Sequence, residues 1–568
     1  MESLETWFRR EVYHWRIGAS VVWTVLSVPA FFTVYLLMAC FVPLHPIQWI
    51  SDVVFNLTSL SFWGTMVTVM IILGGVSVYN STHFTVVADV PLTRLAALGR
   101  LVKVPSILHG AVFSLASGMI AWSCTGLIGD TYGKLSEKCS EESEKNCFNE
   151  KHVFVVCHGL LVGFMFHLLF RLQQENFVQF PLLQQAKFFQ VKSNLWPMME
   201  KSLLFNLKFV NVLFYLLYFL LGHIPRHWFL RNLYLEARPE PALNTIFGMM
   251  DLGLLWQVTL SGTLVHALLS YATFLFKVYN TEPFVFPVET MYEEYKNKCL
   301  HNALGCSQFP LVKYLGFLDL HLLTKHTPNR RRQLFTLSQP GGHPHNWNSV
   351  YRACILEIDS LTKSLEENNW KAFAAPPLNN SSGDNSSKGA LGVSSLTFRG
   401  SGPSVTDTSS IKQQQNPPQE DPLKKLFDTL KKKPVLKYML GDLPEASAHR
   451  LFSTAQTQIW AIQALAAIVA NSYSEDLYGV VQKSLPDILR SLLNLQENVE
   501  KHFKLAPVVG RRAQNSCAPS DIGLRHSLRT SLKMSLYRII NTFGSHLSEI
   551  KLAPEHGKRL KFFMDYKE

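Results

Sequence analysis

Leu252-Gly-Leu-Leu-Trp-Gln-Val-Thr-Leu-Ser-Gly-Thr-Leu-Val-His-Ala-Leu-Leu-Ser-Tyr-Ala-Thr-Phe-Leu-Phe276 carries no charged residue, and its reading decides the fold. A helix rises about 1.5 Å per residue and the hydrocarbon core of a bilayer is about 30 Å thick, so about 20 mostly apolar residues cross it. The same test applied outward along the chain finds five more runs: Ile17 to Leu44, Phe55 to Val78, Ile107 to Ile128, Val153 to Phe170 and Phe209 to Ile224. If the fifth starts near Ser202 instead, Lys208 falls inside it and its ammonium has to reach back to the headgroups. Trp15, Trp49, Trp228 and Tyr279 stand near run ends, where amphipathic rings settle at the interface.

Hydrophobic residues make up 47% of the 568 and charged residues 17%, below the roughly 25% usual for soluble domains. That average hides a split, because the apolar runs end near 278 and most of the charge follows. The expected fold is all-α: a six-helix transmembrane domain over 1–278, then a cytosol-side α-helical domain interrupted by a disordered linker. A net charge of +12 first suggests flanks that face anionic lipid. Direct nucleic-acid binding is not expected, because no compact binding motif appears. Nine cysteines without a C-x-x-C pair indicate neither a zinc ribbon nor a redox motif. The first apolar run is too long, and lacks a small-residue cleavage site, to read as a cleaved signal.

Lys and Arg set the direction. With the N-terminus cytosolic, the inner flanks hold Arg9, Arg10, Arg16, Arg94, Arg100, Lys103, Arg171, Lys187, Lys192, Lys201, Lys277, Lys296 and Lys298. The outer loops hold Lys134, Lys138, Lys145, Lys151, Arg226, Arg231 and Arg238. Thirteen against seven favours both termini in the cytosol. Cys139 and Cys147 share the outer loop 129–152, where an oxidising lumen lets them pair; two free thiols are the alternative. The sequon Asn80-Ser81-Thr82 falls on the cytosolic side and should stay bare.

Intramembrane ionisable groups often mark a transport path. Here they are His109, His158, His167 and His266, with Asp251 at a span end. One reading makes each imidazole a bond to a neighbouring helix; the other makes the chain a polytopic transporter or channel that uses them. The absence of buried acidic pairs and of matched broken helices favours the first. Gly110, Ser114 and Gly118, with Gly74-Gly75, offer small faces for helix packing.

Behind the spans, 279–373 reads as a helical juxtamembrane region. Pro310 to His326 has helical spacing with a stop at Pro328, and a second helix from about Trp347 turns Val350, Cys354, Ile358, Leu361 and Leu365 to one face. Between them Ser338, Pro340, Gly341, Gly342, His343, Pro344, His345 and Trp347 form a Pro/Gly/His/Trp corner. Two imidazoles without a third ligand do not make a metal site. Residues 374–421 are too polar to bury a core and read as the linker. From 422 to 568 come a basic amphipathic segment and a helical bundle. In the segment, Leu423, Leu426, Phe427 and Leu430 form an apolar stripe flanked by Lys424, Lys425, Lys431, Lys432 and Lys433, which suits a membrane surface or packing on the next domain. The bundle holds a helix from Pro444 through the Ala-rich run, a second over Leu477 to Phe503 kinked or split at Pro486, and a third over Leu524 to Ile550. The third shows Arg525, Arg529, Lys533 and Arg538, a basic face for an acidic partner, for lipid or for solvent. No catalytic signature or cofactor motif occurs, so an enzyme is not expected.

His45-Pro-Ile-Gln-Trp-Ile-Ser-Asp52, Leu337-Ser-Gln-Pro-Gly-Gly-His-Pro-His-Asn-Trp347 and Tyr537-Arg-Ile-Ile-Asn-Thr-Phe-Gly-Ser-His546 carry a resemblance to vertebrate transmembrane nucleoporins of the nuclear division cycle type. The resemblance implies a component of the pore-membrane ring of the nuclear pore complex, with six spans and both ends on the cytosol and nucleoplasm side. It implies partners among the scaffold proteins, namely aladin, the inner-ring linker nucleoporins and other pore-membrane proteins, with the nuclear envelope bilayer as the other contact. It implies no catalytic residue, no metal and no cofactor, and it marks the 338–347 corner as a candidate partner contact. Relatives of this type carry a longer Ser/Pro-rich linker, and with only Phe247-Gly248 and Phe543-Gly544 the chain resembles an anchor rather than a permeability-barrier protein.

Overall fold

The computed structural model describes residues 3–565 except 43, 128–129, 139–145, 182–183, 238–242, 244, 246–247, 249, 291, 338–341, 375–437, 439–440, 442–445, 510–518 and 551. These residues are mostly helical, and among them six helices are long and apolar enough to cross a membrane. These are α1 (Leu4–Ala39), α3 (Leu60–Ser81), α5 (Val104–Thr125), α6 (Glu150–Leu172), α7 (Lys187–Leu221) and α9 (Leu252–Asn280). The amphipathic helix α2 (Pro46–Thr58), α4 (Arg94–Leu101) and α8 (His223–Asn232) lie between them.

Spans one, two and five differ most from the sequence reading at their ends. The first helix starts at Leu4 rather than Ile17, with Ser3 as N-cap and an i→i+5 turn over Arg9–Tyr13, because Leu4 and Phe8 are buried. It ends at Ala39. Leu44 and Phe55, assigned to spans one and two, instead lie before and within α2, and α3 begins after the cap Ser59. The fifth span begins well before Phe209 or Ser202 and ends at Leu221; Lys208 sits in an i→i+5 turn, Asn206–Val210, within it. Lys187, Lys192 and Lys201 hid that amphipathic first half from a hydropathy test.

The central span is α9, buried along most of its length. The α5–α6 pair packs through small residues: a Cβ on Gly118 would sit 2.6 Å from Leu160 Cδ2, and one on Gly163 2.5 Å from Ser117 Oγ. Ser114 Oγ donates to the Leu160 carbonyl at 2.8 Å. The expected Gly110/Ser114/Gly118 face is therefore in use: Gly110 lies against His167, Ser114 and Gly118 against Leu160, and Gly118 also against Gly159. Gly75 meets nothing within 4 Å.

Between the spans, β1 (Ser136–Lys138) pairs antiparallel with β2 (Asn146–Phe148), which pairs parallel with β3 (Glu236–Ala237). Lys151 Nζ lies 2.9 Å from Asp251 Oδ2, tying the start of α6 to the cap of α9.

The tail folds around α10 (Pro310–His326), α11 (His345–Ala374), α12 (Ala446–Phe452), α13 (Ala455–Glu475), α14 (Leu485–Val509), α15 (Pro519–Phe543) and α16 (Pro554–Asp565). The Ala-rich α13 is buried on nearly every face, since small side chains let α10, α11 and α15 approach it together. Pro486 does not kink a longer helix. It lies in the first turn of α14, where a missing N–H costs nothing, after a turn in which Gly479 takes φ +63°. The third bundle helix stops at Phe543, not Ile550, because Gly544 turns left-handed at φ +47° and a 3-10 turn over Gly544–Glu549 follows. Two helices, α12 and α13, stand where one was expected, and Pro444 lies outside the described residues.

Candidate functional site: the joint between spans and tail

One apolar core runs through the tail and into the membrane half. Phe8 of α1 is fully buried and lies edge-on to Phe284 at 5.4 Å and stacked with Phe286 at 6.3 Å. Phe180, from the loop between α6 and α7, stacks on Tyr314 of α10 and meets Trp460 of α13 edge-on, each at 5.5 Å. Leu4, Phe8, Phe180 and Phe286 thus belong to the same cluster as Leu315, Trp347 and Ile462. The N-terminal helix and the tail lie on one side of the span bundle.

Polar bonds lock the strap that follows α9. Asp319, buried inside α10, accepts from the Phe286 backbone N–H at 3.0 Å and from Arg330 Nη1 and Nη2 at 3.0 and 2.9 Å. Arg330 Nη2 also donates to the Phe286 carbonyl at 2.6 Å. Arg16 donates to the Asn280 and Pro283 carbonyls at 3.3 and 3.4 Å, placing a cation at the C-terminal end of α9. Arg331 and Glu475 pair at 2.5 Å, and that guanidinium holds the Glu475 carboxyl below its usual range. Sequence reading missed all five of Phe8, Arg16, Phe180, Asp319 and Arg330. The available signal was a lone Asp in the apolar run of α10, a residue type almost never buried unless paired.

The corner closes onto this core. Trp347 is buried, and its indole N–H donates to Ser484 Oγ at 3.1 Å. Gly342, His343, Pro344 and Trp347 line one wall of an open groove of about 950 Å³; Tyr478, Lys483 and Asp487 line the other. Tyr351 Oη donates to Asp487 Oδ2 at 3.5 Å, and burial, then that carboxylate, push the Tyr351 phenol up. His345 opens α11 with its ring 5.7 Å from that of His301. Ser338, Pro340 and Gly341 lie outside the described residues. Among those described, no group of three His, Cys, Asp or Glu is placed to hold a metal.

The other candidates separate. Cys147, in β2, is disulfide-bonded, while Cys139 lies outside the described residues. So do Leu423, Lys424, Lys425, Leu426, Phe427, Leu430, Lys431, Lys432 and Lys433. The basic face is partly spent inside the tail: Arg529 grips Glu500 with two bonds of 2.8 Å, Lys533 lies 3.6 Å from the same carboxylate, and Arg525 sits over the Phe452 ring. Arg538 is exposed. The span histidines each bond a neighbouring helix: His109 to His167 at 2.8 Å and to Asn80 at 3.1 Å, His158 to Asn211 at 3.0 Å, His266 to Ser202 at 2.9 Å. The Asn80 sequon side chain is buried in that network.

Comparison with known proteins names the architecture. Residues 11–561 match the family described as Nucleoporin protein Ndc1-Nup. The chain belongs to the Ndc1 nucleoporin family. It is 32% identical to Nucleoporin NDC1 of Xenopus laevis over 98% of this chain and 99% of that one. To Nucleoporin NDC1 of Homo sapiens it is 30% identical over 98% and 97%, and to that of Danio rerio 29% identical over 99% of both. The Xenopus alignment spans 655 positions against 568 residues here, so the relative carries segments that this chain lacks. As an Ndc1 nucleoporin the chain is a transmembrane component of the nuclear pore, in the nuclear envelope, and is not an enzyme.

Proposed function

We propose that this Ndc1 nucleoporin anchors the nuclear pore scaffold to the pore membrane and supports pore assembly. Its tail recruits soluble nucleoporins, aladin and the inner-ring linkers among them, and meets other pore-membrane proteins; both termini lie on the cytosol and nucleoplasm side. The observation that carries this reading is the shared core at the joint. Burying one Phe side chain contributes about 1.5–3 kcal/mol, so Phe8 and Phe180, from two separate segments of the membrane half, and Phe286, in the strap after α9, weld the tail to the spans. A partner held by the tail is then held by folded structure rather than by a flexible tether. The groove beside Trp347, with the exposed Tyr478 on its wall, is the assigned partner contact, Arg538 the exposed cation of the basic face on α15, and the basic stripe 423–433 a contact for the bilayer surface.

The test is co-flotation of purified aladin and linker nucleoporins with vesicles bearing the full chain. The parent should carry them up the gradient, and Tyr478→Ala should weaken that at least severalfold without unfolding the chain. No capture by the parent, or solute flux across the same vesicles that His167→Ala or His266→Ala abolishes, would replace an anchor with a transporter. A C-terminal epitope shielded from protease in sealed microsomes would put the tail in the lumen and end the proposal.

A further inference from the structure

Two spans and one amphipathic helix end around a small basic cavity on the tail side of the membrane. The cavity, about 140 Å³, is lined by Asp89, Arg100, Lys103, Ser106, Arg171 and Gln174 among others. Lys103 caps the start of α5, and Arg171 stands in the last turn of α6. A water occupies about 30 Å³ of liquid, so the space admits one phosphate group with a few waters and no acyl chain.

Arg100 and Asp89 cancel, with Nη2 2.6 Å from Oδ1. The next carboxylate along the chain, Glu175, is already held by Lys277 Nζ at 2.6 Å. Lys103 and Arg171 have no carboxylate partner among the described residues. Arg171 Nη2 meets His83 Nδ1 at 3.3 Å, while its Nε is buried with no acceptor. Two positive charges therefore border a cavity that holds no free carboxylate. An anion that enters gains charge-assisted bonds from both.

The level of the cavity says which anion. Val102 and Val104, on either side of Lys103, are 71% and 78% exposed, and Ile107 and Leu108 one turn deeper are 56% and 55% exposed. Apolar side chains at that exposure belong against acyl chains, so Lys103 and Arg171 stand at the headgroup plane. We infer that this cavity binds the phosphate of an anionic phospholipid, with Lys103 and Arg171 gripping the headgroup and the acyl chains lying along Ile107 and Leu108. The site goes beyond a scaffold anchor: it selects the lipid beside the protein.

The experiment uses the full chain reconstituted in vesicles of equal parts phosphatidylcholine and phosphatidylserine, extracted gently and weighed by native mass spectrometry. The parent should retain phosphatidylserine over phosphatidylcholine. The double variant Lys103→Gln, Arg171→Gln should lose about tenfold in that retention, as expected for removing charge-assisted bonds. Lys103→Gln alone, at an exposed position that cannot unfold the chain, should lose at least threefold. Lys192→Gln, an equal charge loss on the same side but outside the cavity, should leave retention within about twofold. Equal losses from Lys103→Gln and Lys192→Gln would mean diffuse surface attraction and overturn the site. Displacement of the retained lipid by millimolar inorganic phosphate would overturn the lipid assignment in favour of a free anion.

Discussion

Replacing Gly163 by Ala tests the packing of the membrane half at its tightest contact. The added Cβ would stand 2.7 Å from Ser117 Cβ and 2.5 Å from Ser117 Oγ, and closer still to the Phe113 carbonyl oxygen. Carbon atoms settle about 3.5 Å apart, so α5 and α6 must part by roughly 0.8 Å. Backbone is among the obstacles, so no rotamer change relieves it. A gap of that size forfeits about a quarter to a half of each dispersion contact along the seam. It also stretches the 2.8 Å bond from Ser114 to Leu160. Overpacking of this kind costs about 1–3 kcal/mol, and the upper end applies here, for a fall in Tm of roughly 2–5 °C. Gly75→Ala is the matched control: its Cβ meets nothing within 4 Å, and helix propensity alone should raise stability by about 0.5–1 kcal/mol. The assay is thermal unfolding of the full chain in one detergent, followed by light scattering and a tryptophan signal. If the two variants melt within about 1 °C of each other, the close approach of α5 and α6 is not what holds the bundle together.

Asp319→Ala should cost about 3–5 kcal/mol, because it strands Arg330 and orphans the buried Phe286 N–H; limited proteolysis should then cut first between residues 282 and 299. The tail should also be acid-sensitive through His321. Burial, then Lys325 and His326, lower its pKa to about 4 from the ordinary 6.5, so its stabilising contribution is full above about pH 6.5 and is lost as pH falls toward 4. Between pH 6.5 and 5 that amounts to roughly 2 kcal/mol, and His321→Gln should flatten a plot of Tm against pH over that range. We propose that Cys147 pairs with Cys139: a maleimide mass tag should miss Cys147 until reductant is added, and Cys139→Ser should expose it without reductant.

Span existence was legible because crossing a bilayer demands a long apolar run whatever the partners, and each of the six helices overlaps a run read from hydropathy. Span ends were less legible, for a reason visible at α1 and α7. Leu4 and Phe8 extend α1 beyond the apolar run because they bury into the tail, and the charged first half of α7 is helical without being apolar. In both places tertiary contact, not lipid, sets the boundary. Pro310–His326 was read to the residue because a proline starts it and a Thr-Pro pair ends it, both local signals. Pro486 was misread because a proline that begins a helix and one that breaks a helix look alike until the preceding turn is known.

The candidate sites divide along the same line. Trp347 announced itself as a large aromatic beside Pro and Gly, and it packs where a cap on a rigid corner should. The basic face on α15 was drawn from one helix alone, so it could not reveal that Glu500 on α14 had already claimed Arg529 and Lys533. The joint was invisible for the opposite reason. Phe8, Phe180, Phe286 and Asp319 come from four segments, none with a periodicity of its own, and only the folded chain brings them into one core. The proposed anchor role, in which a scaffold is held against a fluid membrane, needs that kind of contact. A long-range core resists separation of tail from spans, whereas an interface built from one amphipathic helix peels away a turn at a time.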